Sequence, residues 1–200
     1  MVAILRGLAP SDASTVGTVL FDAGFRVLEV PLNRPGAIDS IAALSRMAPK
    51  DALIGGGTML SIADVDAVYA AGGRLLVSPN CNPSVIRHAA ALGMLCAPGV
   101  ATPTEAFLAL EAGAHALKIF PAEAVGYAGL KAFKTVLPPD TPLWPVGGVT
   151  PETIAVWVQA GATGFGIGGA LFSAGVSIDT LAQRAARFVN EWHAIRDVPQ

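Results

Sequence analysis

Five times along this chain a run of small helical residues ends in glycine, and a β-rich stretch follows within a few positions. Asp22-Ala23-Gly24 precedes Val27 to Leu32, and Ala70-Ala71-Gly72 precedes Leu75 to Ser78. The same order returns at Ala91-Leu92-Gly93 before Met94 to Ala97, at Glu111-Ala112-Gly113 before Ala116 to Phe120, and at Gln159-Ala160-Gly161 before Gly164 to Gly168. Glycine is favoured just past a helix end because it enters the left-handed conformation without a Cβ penalty. The five glycines recur at about 20 residues, or at a little over double that. Each long interval holds one more strand candidate, Leu53-Ile54-Gly55 in the first and Leu143 to Val146 in the second. With Val2 to Leu5 at the start, eight strands alternate with helices.

The helices begin as helices should. Asn82-Pro83, Thr102-Pro103-Thr104-Glu105 and Thr150-Pro151 each offer a side-chain oxygen at the N-cap and proline at the first helical position. The second of these also has the capping-box spacing, and Ser61 to Asp64 has the same use after the third strand. Leu181 to Ile195 has the amphipathic spacing of a closing helix. This is the pattern of a (β/α)8 barrel of the α/β class, in one domain spanning residues 1–200. A doubly wound open sheet is the competitor. It calls for a glycine-rich turn after the first strand, and Leu5-Arg6-Gly7-Leu8 is not one.

Composition agrees. A hydrophobic fraction of 52% with 14% charged residues suits strands buried on both faces by helices. Charges, glycines and prolines interrupt every apolar stretch, which argues against a membrane span. The start of the chain has no signal-peptide pattern, so a cytoplasmic location is expected. A net charge of −2 with no basic cluster argues against nucleic acid as a partner. Cys81 and Cys96 have neither metal-type nor disulfide-framework spacing, and no two of His88, His115 and His193 have ligand spacing. The expectation is no metal and no cofactor.

One strand breaks its own rule. Ala116-Leu117-Lys118-Ile119-Phe120-Pro121 is apolar except for a central lysine. Burying an ammonium costs several kcal/mol unless it is paired or deprotonated. A deprotonated lysine is a nucleophile for carbonyls. Side chains alternate along a strand, so if Leu117 and Ile119 meet helices, Lys118 and Phe120 point into the barrel. The same alternation in Val27-Leu28-Glu29-Val30 turns Glu29 inward. A lysine and a carboxylate near the barrel mouth, where such folds place chemistry, mark a catalytic pair; a structural ion pair is the alternative reading. Arg6, Thr58 and Ser78-Pro79-Asn80 also fall at the ends of strands. The loops after the seventh and eighth strands carry Gly147-Gly148 and Gly168-Gly169, the positions where barrels commonly bind phosphate through backbone N–H groups.

Six motifs together carry a family resemblance: Ala3 to Gly7, Glu29 to Asn33, Ile54 to Thr58, Ser78 to Asn80, Leu117 to Pro121 and Val146 to Glu152. In this order, over nearly the whole chain, they resemble the class I aldolases acting on 2-keto-3-deoxy-6-phosphogluconate (KDPG) and its galactonate epimer (KDPGal). The resemblance implies a metal-free cytoplasmic homotrimer that takes a keto-deoxy sugar-acid phosphate and releases pyruvate and glyceraldehyde 3-phosphate. It implies Lys118 as the imine-forming residue and Glu29 as the proton carrier. Arg6 and Thr58 would hold the carboxylate end. Pro79 and Phe120 would line the pocket, and Gly147, Gly148, Gly168 and Gly169 would hold the phosphate. Arg6 after the first strand and Val146 before the glycine pair resemble the galactonate branch; the gluconate branch has arginine at the place of Asn33 and threonine at that of Val146. Two departures stand out. Relatives usually carry a short helix before the first strand, which bears on how the barrel floor is closed. They also often place a hydroxyl where this chain reads Gly168-Gly169-Ala170. The same chemistry on the gluconate epimer, a phosphate-binding isomerase or synthase using Glu29 without a covalent intermediate, and a non-catalytic sugar-phosphate binder are the alternatives.

Overall fold

The computed structural model describes residues 1–196; the last four positions of the expected single domain, 197–200, lie outside the described residues. The described residues form eight helices and nine strand segments, which alternate except that the fifth and sixth strand segments follow one another. The strands are β1 (Val2–Ile4), β2 (Val27–Pro31), β3 (Leu53–Gly57), β4 (Leu75–Val77), β5 (Leu95–Ala97), β6 (Gly99–Val100), β7 (Leu117–Ile119), β8 (Leu143–Pro145) and β9 (Gly166–Ile167). The helices are α1 (Ala13–Asp22), α2 (Ala37–Met47), α3 (Ile62–Ala70), α4 (Pro83–Ala91), α5 (Pro103–Glu111), α6 (Ala122–Val136), α7 (Pro151–Gln159) and α8 (Ile178–Arg196).

The repeated glycines do what the sequence pattern requires. Gly24, Gly72, Gly93, Gly113 and Gly161 have φ of +105°, +92°, +74°, +100° and +107°. In each case the next residue's N–H returns to a carbonyl in the last turn of the helix: Phe25 to Leu20, Gly73 to Val68, Met94 to Ala89, Ala114 to Ala109 and Ala162 to Trp157, at 2.9–3.0 Å. This is the Schellman closure, and it reverses the chain into the next strand five times over. At the helix starts, Ser61 and Thr102 form complete capping boxes with Asp64 and Glu105, and Asn82 accepts from the N–H of Ser84. At α7, the Thr153 hydroxyl accepts from the N–H of Thr150.

All strand pairings are parallel. One sheet runs β5-β4-β3-β2-β1-β9 and a second β6-β7-β8, and a Val146–Gly166 bridge joins β8 to β9. The fifth stave is split because Pro98 has no N–H to donate. Its carbonyl still accepts from Lys118 N–H at 2.9 Å, so the ladder passes the break. The ring is closed, and the fold is the (β/α)8 barrel.

Alternation sorts the strand residues into two cores. Leu28, Val30, Ile54, Leu76, Cys96, Leu117, Ile119, Leu143 and Ile167 face the helices in the main cluster. Val2, Leu75, Val77, Ala97 and Ala116 fill the barrel interior. Each large apolar side chain so buried stabilises the fold by about 1.5–3 kcal/mol. Half-buried Val27, Leu53, Leu95 and Trp144 pack beneath the inner cluster and form the barrel floor. No helix among the described residues is long and apolar enough to cross a membrane.

Candidate active site

Strand β2 carries Glu29 into the interior, in register with Ile4 of β1 and Gly55 of β3. The residue is 1% exposed, and its Oε2 has no hydrogen-bond partner among the described residues. The carboxylate lies against Gly57, where any Cβ would collide with it. Burial raises the Glu29 pKa to about 7, while the positive charges of Lys118 and Arg6 act to lower it.

Strand β7 holds Lys118 opposite Gly99 and Trp144. The residue is 8% exposed, with Nζ 4.9 Å from the Phe120 ring centroid. Burial pushes the Lys118 pKa down; the Glu29 charge opposes that shift and the Arg6 charge adds to it. Lys118 and Glu29 are not in an ion-pair contact. They line a common chamber with Val2, Ile4, Val77 and Val146. Its free volume, about 10 Å³, is room for roughly one water molecule.

Above the chamber lies a cleft of about 950 Å³, walled by the loops after β1, β2, β8 and β9. Ile4, Val146 and Gly166 belong to both walls, so the chamber is the floor of the cleft. Arg6, Phe120, Val146, Gly147, Gly148, Gly168 and Gly169 all line the cleft. A Cβ on Gly169 would meet nothing within 4 Å, and one on Gly168 would meet only Ile4 Cβ at 4.0 Å. That pair therefore leaves its space open toward the cleft. Gly147 and Gly148 differ, with φ of +114° and +61°; a Cβ on Gly147 would strike the Glu123 carboxylate, and one on Gly148 would sit tightly against the same side chain at 3.0–3.3 Å.

Thr58 and Pro79 are in neither wall. Thr58 follows Gly57 directly and has φ +55°, the only positive φ of a non-glycine among the described residues. A threonine held there costs on the order of 1–3 kcal/mol, the kind of strain that clusters at functional sites. Pro79 is half-buried beside β6; its carbonyl carbon lies 2.5 Å from where a Gly99 Cβ would sit. Sequence reasoning missed Arg34 and Ser173, which also line the cleft. Arg34 is the first cation after β2, at the end of the barrel where chemistry belongs, and that position was its available signal.

The family model for the KDPG and KHG aldolases matches residues 1–185. The 2-dehydro-3-deoxy-6-phosphogalactonate aldolase of Escherichia coli (strain K12) is 50% identical over 193 residues, 96% of this chain and 94% of the relative. This chain belongs to the KDPG and KHG aldolase family. A solved native KDPGal structure superposes on this family member with a TM-score of 0.96 at 47% identity, covering 98% of this chain and 96% of the other. The KDPG aldolase of Legionella pneumophila, 26% identical, superposes with a TM-score of 0.81 and covers 97% and 92% of the two chains; its structure holds pyruvate as a covalent carbinolamine.

The Gly57 contact yields one expectation for this aldolase. In Gly57→Ala the new methyl pushes the Glu29 carboxylate aside. The change lowers stability by about 1–3 kcal/mol through overpacking. It lowers turnover further, because the displaced acid loses its place in the chamber. Thermal unfolding and steady-state kinetics check both, and an unchanged midpoint would show that the interior yields freely.

Proposed function

We propose that this chain cleaves 2-dehydro-3-deoxy-6-phosphogalactonate reversibly to pyruvate and D-glyceraldehyde 3-phosphate through an imine on Lys118. The observation that carries the reading is a buried lysine with a lowered pKa sharing a water-sized chamber with Glu29, beneath a glycine-walled cleft. The covalent carbinolamine in the Legionella relative supports the same chemistry.

Neutral Lys118 adds to the C2 ketone. Loss of water leaves an iminium, an electron sink beside C3. Glu29, acting through the one water that the chamber can hold, takes the C4 hydroxyl proton. The C3–C4 electron pair moves toward the iminium as C4 becomes the aldehyde, which leaves as glyceraldehyde 3-phosphate. The enamine on Lys118 is then protonated at C3 by the acid form of Glu29. Water hydrolyses the resulting imine, releases pyruvate and restores the amine. Arg6 holds the substrate carboxylate, while Phe120 keeps the imine dry. Gly147, Gly148, Gly168 and Gly169 take the phosphate. A carboxyl group with a pKa of about 7 suits a proton carrier that must both take and return a proton.

The galactonate preference rests on Val146, which lines both the chamber that holds Lys118 and the cleft above it. Assaying the two C4 epimers with coupled pyruvate detection tests it. The galactonate epimer is expected to have the higher kcat/KM, and Val146→Thr to narrow the ratio by about tenfold. Faster turnover of the gluconate epimer by the unaltered protein would reverse the assignment.

The proposal includes a single domain, a cytoplasmic location and a homotrimer. For the trimer, support comes from exposed Phe107 and Leu108 on α5 and from Leu60 and Ile62 at the start of α3, each more than 40% exposed. Apolar side chains in that number suit an interface.

A further inference from the structure

Building on the aldolase reading above, we propose that Arg34 is a binding residue for the phosphate end of the substrate, closing the cleft across from the glycines after β8 and β9. Among the described residues Arg6 and Arg34 are the only charged side chains that line the cleft, the Glu123 carboxylate lying against Gly147 and Gly148 without lining it. A keto-deoxy sugar-acid phosphate is anionic at both ends. Two guanidinium groups facing one cleft match two anions on one ligand.

Position sorts the two arginines. The imine on Lys118 fixes C2, and with it the neighbouring carboxylate, at the chamber. Arg6 lies two residues past β1, and its charge is felt by both Glu29 and Lys118. The charge of Arg34 contributes to neither shift. Arg34 stands farther out, in the turn between β2 and α2, and serves the opposite end of the ligand.

The phosphate end needs such a group. Gly168, Gly169 and Ala170 offer only backbone N–H dipoles, and the hydroxyls that line the cleft nearby, Thr150 and Ser173, are neutral. A phosphate dianion gains more from a full charge with forked donors, which arginine supplies bidentately. Arg34 is available for this. It is exposed, and among the described residues no carboxylate pairs with it. Its turn is also held. Pro35 restricts the backbone of Arg34, and Gly36 sits so close to Pro10 of the β1 loop that a Cβ there would be 3.0 Å from the Pro10 ring. The guanidinium is thus borne on a turn braced against the cleft's own wall.

The test compares Arg34→Ala, Arg34→Lys and the unaltered protein on the 6-phosphorylated acid and on the same acid without phosphate. Arg34→Ala should raise KM for the phosphorylated acid by about 10- to 100-fold, the weight of a lost charge-assisted contact. Its kcat should hold, and its kcat/KM for the unphosphorylated acid should not change. Arg34→Lys should recover part of the loss, and the inhibition constant of inorganic phosphate should rise in parallel with KM. Equal losses on both acids, or an unchanged KM for the phosphorylated one, would overturn the assignment while leaving the aldolase reading intact. An unaltered protein that cleaved neither acid would remove the aldolase reading, and this inference with it.

Discussion

Lys118→Met is expected to abolish cleavage while the protein stays folded. Methionine nearly matches the lysine stem in volume but carries no nitrogen. Without an amine there is no iminium, and the C3–C4 electrons have no sink. The loss in kcat should exceed about 10⁴-fold, as for other enzymes stripped of their nucleophile. Stability should move the other way or not at all. Lys118 is 8% exposed among apolar neighbours, so an ammonium is costly there. Removing it also removes the cation that most lowers the Glu29 pKa, which then rises further and leaves a neutral, cheaply buried acid. Kinetics and thermal unfolding on one preparation separate the two effects. Lys118→Arg makes the same point with the charge kept: arginine remains protonated and cannot attack a carbonyl, so that variant should be equally inactive.

Glu29→Gln is expected to lower kcat/KM by about 10²- to 10⁴-fold, the usual weight of a positioned proton carrier. The pH profile identifies the group. Burial lifts the Glu29 pKa to about 7, so the carboxylate required to take the C4 proton disappears as pH falls through 7. In the unaltered protein kcat/KM should therefore fall about tenfold per pH unit on the acid side. In Glu29→Gln the limb set by this group should vanish. The linkage to stability has a definite sign. A carboxyl whose folded pKa exceeds its unfolded value near 4.5 favours folding in its protonated form. Its contribution is fully present below the unfolded value and is lost as pH rises through about 7. Glutamine does not titrate, so the variant should gain on the unaltered protein between pH 5 and pH 8. Denaturant melts at the two pH values measure it, and a constant gap would mean that Glu29 is not buried as described.

The parts of this molecule that were legible in the sequence are those fixed by local chemistry. The helix-ending glycines could be read because only glycine takes a positive φ freely, and all five do so. Lys118 and Glu29 could be read because each interrupts a strand that burial would otherwise keep apolar, and alternation then aims both inward. What stayed hidden depends on partners distant in the chain. The fifth stave was expected to end at Ala97, yet it resumes at Gly99 because the Pro98 carbonyl and Gly99 pair with β7. Gly147-Gly148 fits a phosphate loop by its position after the seventh strand. The structure shows a second reason for the same glycines, the Glu123 carboxylate lying against them from the start of α6. Thr58 gave no sign of its positive φ, since threonine is among the residues that least favour it. Arg34 looked like any solvated loop cation until the fold brought the β1, β2, β8 and β9 loops around one cleft.

Borohydride reduction in the presence of pyruvate, followed by mass spectrometry of the intact protein and its peptides, tests the covalent step most directly. The chain has four lysines, Lys50, Lys118, Lys131 and Lys134. One reduced pyruvate per chain, on Lys118 alone and absent in Lys118→Met, is the predicted result. An unmodified protein, or a label on any of the other three, would contradict it.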